Sequence, residues 1–254
     1  MTSHDAFAER DLLAAPVVGR ASWLVPARID TPELLDLGHG TPQDVRANLD
    51  EMWRINRYLG GFRALTAHLY PRLGTMPDPA SVLDLGTGAG EAARAIARWG
   101  RRHDHPVRVV AVDWAARHLD VARHTLAQTP DVTLLRADAA RLPLAAESVD
   151  YVISTLFLHH FAPEAVIHLL RSAFVTARRG MIMSDLVRGW LPWAAFRLAA
   201  PVFARHYLTR HDGLLSVRRA YTPDELRELA EAAGLRGARV HTHWPWRMTL
   251  VVDR

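Results

Sequence analysis

Apolar residues in the first third of the chain recur with helical spacing, whereas from residue 80 onward short apolar runs alternate with amphipathic stretches. Thr41 followed by Pro42 reads as a helix start. A threonine hydroxyl caps exposed N–H groups, and a proline at the first helical position loses no hydrogen bond. Val45, Leu49, Met52, Trp53 and Leu59 then form one apolar face, which Gly60 and Gly61 end. A second helix is predicted over residues 62–73, and the turn-rich segment 74–79 separates both helices from the rest of the chain. Residues 1 to about 30 mix short apolar runs with Pro16, Gly19 and Pro26, the pattern of a loose helix and an extended arm.

Beyond residue 80 the period changes from helix to strand and back several times. Strands are predicted at 81–85, 108–113, 132–136, 151–154 and 180–185, with helices at 91–99, 115–128 and 163–177 between them. Another helix opens at Thr222, with Pro223 after it and Glu225 placed to close a capping box, and Gly234 ends it. Segments 238–243 and 248–252 complete the sheet as a hairpin. This alternation is that of a doubly wound α/β sheet. The organisation predicted is a helical cap over 1–79 and a main domain over 80–254, into which 186–219 is inserted.

The stretch around which the sheet is built lies at the end of the first strand. Val82, Leu83 and Leu85 are apolar, Asp84 interrupts them, and Gly86, Gly88 and Gly90 lead into the helix former Glu91-Ala-Ala-Arg. A buried strand therefore turns sharply into a helix, and glycines at alternate positions remove Cβ atoms that would hold a ligand off the backbone. A dinucleotide fingerprint needs a glycine where Glu91 stands, and a phosphate-binding P-loop needs a lysine, which the chain lacks altogether. What remains, Asp84-Leu-Gly86-Thr-Gly88-Ala-Gly90, resembles motif I of the class I S-adenosylmethionine (SAM) dependent methyltransferases. The likeness covers residues 80–185 well and the rest more loosely. It is closest to the small-molecule branch of ubiquinone and menaquinone biosynthesis methyltransferases and polyketide-tailoring O-methyltransferases.

That resemblance implies a Rossmann-like sheet of seven strands, parallel except for a C-terminal antiparallel hairpin, with SAM as donor and S-adenosylhomocysteine as product. It also implies roles. Gly86, Gly88 and Gly90 shape the cofactor turn, and Asp84 orients it or holds the methionine moiety through water. Asp113 accepts from the ribose hydroxyls, Trp114 packs on the adenine face, Asp138 accepts from the adenine amino group, and the Ala139 N–H reaches a ring nitrogen. Arg57 pairs with the SAM carboxylate. Each residue also has a plainer reading: solvated acids at Asp113 and Asp138, a core residue at Trp114, a helix-surface arginine at Arg57. Their joint occurrence, in order and at strand ends, favours the cofactor.

Composition narrows the class further. The 254 residues, 49% of them hydrophobic, suit one large domain with a cap and argue against two independent domains. The 31 basic residues, all arginine, are scattered and give a net charge of only +4, so no nucleic-acid partner is expected. With no cysteine there are no disulfides, thiolate metal sites or cysteine nucleophiles, which suits a cytoplasmic enzyme. Asp5, Glu9, Arg10 and Asp11 make the first residues unlike a secretory signal. The longest apolar region, 186–208, is broken by Arg188, Pro192, Arg197, Pro201 and Arg205, so stable membrane insertion is not expected. Its aromatic residues, Trp190, Trp193, Phe196, Phe203 and Tyr207 among them, read as the roof of an acceptor pocket or as a packing or homodimer surface. Together with its arginines they also permit peripheral contact with a membrane.

Methyl transfer from a sulfonium is an in-line displacement in which positive charge disappears, so a protein mainly aligns the partners in a dry pocket. That positioning is worth roughly 7–11 kcal/mol. A base matters only where the acceptor must lose a proton, as a phenol with a pKa of about 10 must. His159 and His160, just beyond the fourth strand, are the candidate catalytic residues, His160 first, with a structural histidine as the alternative. His206, His211 and Asp212 stand behind them. No His/Asp/Glu spacing matches a metal site, so no metal is expected. The function expected is SAM-dependent methylation of a small hydrophobic, phenolic or polyketide-derived acceptor, at oxygen rather than carbon. Carbon methylation of a quinone-type precursor and a non-catalytic SAM-binding protein are the alternatives.

Overall fold

Seven strands form one sheet in the order β3-β2-β1-β4-β5-β7-β6 in a computed structural model that describes residues 21–76 and 79–254. The loose helix read at the start of the chain lies largely outside the described residues. β1 (Ala80–Leu85), β2 (Val107–Asp113), β3 (Val132–Arg136), β4 (Val149–Thr155) and β5 (Ala177–Leu186) are parallel. β7 (Arg247–Asp253) runs antiparallel between β5 and β6 (Arg239–His243), the hairpin expected. The helices are α1 (Pro42–Tyr58), α2 (Gly61–Leu73), α3 (Glu91–Arg102), α4 (Ala116–Leu126) and α5 (Pro163–Thr176), then α6 (Trp190–Phe203), α7 (Tyr207–Arg219) and α8 (Pro223–Ala232). Among the described residues no helix is long and apolar enough to cross a membrane.

The pleat sorts the core into two layers. Leu83 and Leu85 pack with Val152, Met183 and Leu250 beneath α5 and α8, while Val82 faces the other way with Ala111, Ile153 and Ile182. Leu65, Leu69 and Leu73 of α2 and Ile96 of α3 cover that second face. Each such side chain contributes about 1.5–3 kcal/mol on burial. The helix grouped by sequence with the cap therefore packs in the sheet's own core. What stands over the strand ends is α1 together with the arm, residues 21–40, which has no helix or strand.

Polar contacts fix that roof. The α1 N-terminus carries a full capping box, Thr41 with Asp44, and α8 another, Thr222 with Glu225. Glu225 also takes Arg188, whose Nη1 donates to Oε2 at 2.9 Å while its Nε donates to the Pro26 carbonyl at 2.9 Å. Arg188, which merely broke an apolar run in the sequence, is thus a fully buried tie between arm, β5 and α8. Asp212 of α7 accepts the Leu34 and Leu35 amides at 2.8 and 3.1 Å. A small cluster of Leu35, Val45, Leu49, Ala89, Val121 and Leu208 then joins the arm, α1, the glycine turn, α4 and α7.

Candidate active site

β1 lies between β2 and β4, where the strand order reverses, and a cavity of about 830 Å3 opens there beyond the carboxyl ends. The glycine turn forms its floor, but the three glycines do different work. A Cβ on Gly86 (φ 68°) would overlap the Phe157 ring, and one on Gly90 (φ 76°) would stand 2.8 Å from Leu126 Cδ1. Gly88 faces the cavity, and its amide donates to Asp113 Oδ2 at 2.9 Å. Asp84 and Gly90 sit behind the cavity lining. Asp84 is buried and accepts from the Thr87 hydroxyl at 2.7 Å, so its contact is with the turn itself. Burial pushes its carboxyl up to about 7, against the Thr87 hydrogen bond, and the Asp113 charge adds to the rise.

Asp113 is held on the wall. Besides Gly88, its carboxylate accepts the Ala115 amide at 2.9 Å, and His118 Nδ1 lies 3.3 Å away. Trp114 is not the core residue of its plainer reading: it is 67% exposed on the wall, with the Arg136 guanidinium 5.5 Å from its ring centroid. Asp138, which accepts the Ala140 amide at 2.8 Å, and buried Ala139 also line the cavity. Arg57 does not. Met52, Trp53 and Asn56 turn one face of α1 to the cavity, and at about 100° per residue Arg57 falls outward, exposed and 5.9 Å from the Tyr58 ring.

A second cavity, of about 290 Å3, shares Glu33, Met52 and Leu156 with the first. Its walls are mostly apolar side chains of α1, α6 and α7, such as Ile55, Phe196 and Phe203, closed by the turn before β7. α6 and α7, which lie within the insertion, line this cavity together with α1. His159 lies on its wall, 1% exposed, with Nδ1 2.7 Å from Asp185 Oδ1 and Nε2 3.6 Å from Glu33 Oε1. Burial works against a charged ring there, but the Asp185 and Glu33 carboxylates outweigh it and push its pKa up to about 10. Glu33 in turn is held below the usual carboxylate range: its burial is outweighed by His159, His160 and the Ser216 hydroxyl.

His160, first choice in the sequence, lines the larger cavity instead, its Nδ1 3.0 Å from Asp36 Oδ2. His206 and His211 line neither cavity and pair with Asp44 and Asp212. Glu33, Asp185 and Arg247 were missed. Asp185 stands one residue before the end of β5 much as Asp113 ends β2, a signal the sequence carried; Glu33 comes from an arm without any period. Glu33, His159 and His160 bring one donor atom each within 4.8 Å of one another, a grouping that no local spacing displays.

Comparison with known proteins bears on the family and the fold. Residues 82–180 match a family described as a methyltransferase domain. The 2-phytyl-1,4-naphtoquinone methyltransferase of Thermosynechococcus vestitus is 27% identical over 180 residues, 67% of this chain and 77% of that protein. Among solved structures, a SAM-dependent methyltransferase from Aquifex aeolicus superposes with a TM-score of 0.55 at 14% identity, over 85% of this chain and 99% of that one. Magnesium protoporphyrin IX methyltransferase from Synechocystis, solved with SAM, gives 0.51 at 18% identity, over 78% and 79%. Both structural likenesses are likenesses of fold.

Proposed function

We propose that this chain, which belongs to the class I SAM-dependent methyltransferases, methylates a hydroxyl group of a small, hydrophobic, phenolic acceptor held in the smaller cavity. The observation that carries the reading is the His159–Asp185 pair on the wall of an apolar pocket that adjoins the glycine-turn cavity. The residues of the larger cavity fit SAM. Asp113 has lone pairs to spare for ribose hydroxyls, Gly88 leaves bare backbone, and Trp114 presents an aromatic face whose exposure a bound adenine relieves. Asp138 and the Ala139 amide stand at the next strand end. When bound, SAM supplies an electrophilic methyl group.

The chain's own part is to place and deprotonate the acceptor. Phe196, Phe203 and Ile55 exclude water and hold an aryl body. His159 lines the cavity with its Nε2 buried, 3.6 Å from Glu33 Oε1 and without a hydrogen-bond partner, while Asp185 holds the ring at Nδ1, the arrangement of a general base with its orienting carboxylate. A ring pKa of about 10 matches that of a phenol, so the proton moves between them at little cost. Carbon methylation is the rival, because the same deprotonation makes a ring carbon nucleophilic; a methoxy rather than a ring-methyl signal in the product decides it. The reading needs no divalent ion. Turnover that survives dialysis against EDTA is the expected result; loss restored by a metal would hand the Glu33–His159–His160 cluster to that metal.

Since the base must be neutral in free enzyme, kcat/KM should rise with pH toward about 10. Asp185→Asn removes the charge that holds the proton, so the rising limb should move to lower pH while SAM affinity stays within about threefold. A profile flat from pH 6 to 10 removes His159 from the chemistry.

A further inference from the structure

Arg247 opens β7, opposite Leu186 in the β5–β7 ladder, and lines the smaller cavity. It is 6% exposed, yet its Nε has no hydrogen-bond partner, and no ion pair joins it to a carboxylate among the described residues. Asp185 acts on it electrostatically, but that carboxylate already accepts from His159 and from the Leu186 amide. Burial brings the guanidinium down to about 10, as expected of a cation that has left water without gaining a partner. Every other deeply buried arginine on this side is satisfied: Arg188 by Glu225, Pro26 and Ala220, and Arg219 by Asp36 and three backbone carbonyls. A fold does not retain a buried unpaired charge for stability, because an apolar side chain of similar volume is commonly as good or better there.

We infer that Arg247 is the anchor of the acceptor site, and that the acceptor carries a carboxylate which the guanidinium binds, leaving its hydroxyl to His159. The inference rests on the acceptor reading of the smaller cavity. A planar guanidinium matches a carboxylate with two parallel N–H···O bonds, and in a pocket whose walls are otherwise mostly apolar, with Glu33 and Asp212 as its acidic groups, that pair fixes the orientation of an aryl ring. The substrate class is then a hydroxyaryl acid: an apolar ring against Phe196 and Phe203, an acidic group at β7, and a hydroxyl at the junction with the larger cavity.

The test uses the full chain saturated with S-adenosylhomocysteine and two matched probes, 3-hydroxy-2-naphthoate and 3-hydroxy-2-naphthamide, titrated by calorimetry. The acid should bind at least tenfold more tightly than the amide. Arg247→Met should abolish that preference, keep S-adenosylhomocysteine affinity within threefold, and leave Tm equal or higher; Arg247→Lys should retain part of the preference. Equal binding of the two probes, no binding of either to protein that still takes up S-adenosylhomocysteine, a preference that survives in Arg247→Met, or a marked fall in its Tm would each overturn the inference. Protein that takes up no S-adenosylhomocysteine would instead defeat the methyltransferase reading itself.

Discussion

Asp84 is a carboxyl kept where charge is costly, and the cost has a pH dependence. Its folded pKa of about 7 lies above the ordinary value of 3.8, so the folded state holds a proton that the unfolded state releases. The stability it contributes is fully present below pH 3.8 and is lost as pH rises through about 7. Asp84→Asn keeps an acceptor for the Thr87 hydroxyl but has nothing to ionise. The apo variant should therefore gain on the parent between pH 4 and 7, by roughly 2–4 kcal/mol in total, with no further change above. Denaturant melts at pH 4, 5.5, 7 and 8 measure this. A constant difference across them would mean that Asp84 is charged throughout. His159 follows the same sign at higher pH: its contribution is complete below 6.5 and fades through about 10.

At the scale of the element, the glycine turn separates packing from binding. Gly90→Ala should destabilise by about 1–3 kcal/mol, from a positive φ and the approach to Leu126, and Gly90→Ala with Leu126→Ala should recover the clash but not the backbone strain. Gly88 has a positive φ of 55° as well, so Gly88→Ala carries the backbone strain but no clash, with Leu49 Cδ2 3.5 Å from a new Cβ; its Tm should fall less than that of Gly90→Ala and its SAM affinity more. Calorimetry and thermal melts on the three variants separate the two effects; equal loss of both in Gly88→Ala would deny the turn its binding role. This turn was legible in the sequence because its neighbours are local: a strand, three glycines and a helix in one run. Strand ends were less so. β5 starts at Ala177 rather than 180, because Arg178 hides a pairing that its bond to Asp150 at 2.6 Å supports. The smaller cavity was legible only in outline. Its aromatic roof showed as composition, whereas Glu33, His159 and Arg247 meet through long-range contacts between segments without shared period.

The whole molecule depends on an arm that belongs to no secondary structure. Residues 21–40 contribute Glu33 to both cavities and Leu35 and Asp36 to the larger one, so the two sites share a wall that is fastened mainly by side-chain bonds. Asp212, 3% exposed, accepts two consecutive amides of that arm, and among the described residues no other side chain takes either of them. Asp212→Ala leaves the Leu34 and Leu35 N–H groups without their acceptors, a loss of order 1–3 kcal/mol for each buried group left unsatisfied. Asp212→Asn keeps one acceptor and should lose about half as much. The sheet core is remote from these bonds, since α5, α8 and the strands pack without the arm. Global melting should then fall modestly in Asp212→Ala, while hydrogen exchange at residues 33–36 accelerates by tenfold or more and affinity for SAM and acceptor weakens together. Exchange that remained slow in Asp212→Ala would show that the Arg188 and Arg219 contacts hold the arm alone, and the joint loss of both ligands would not follow.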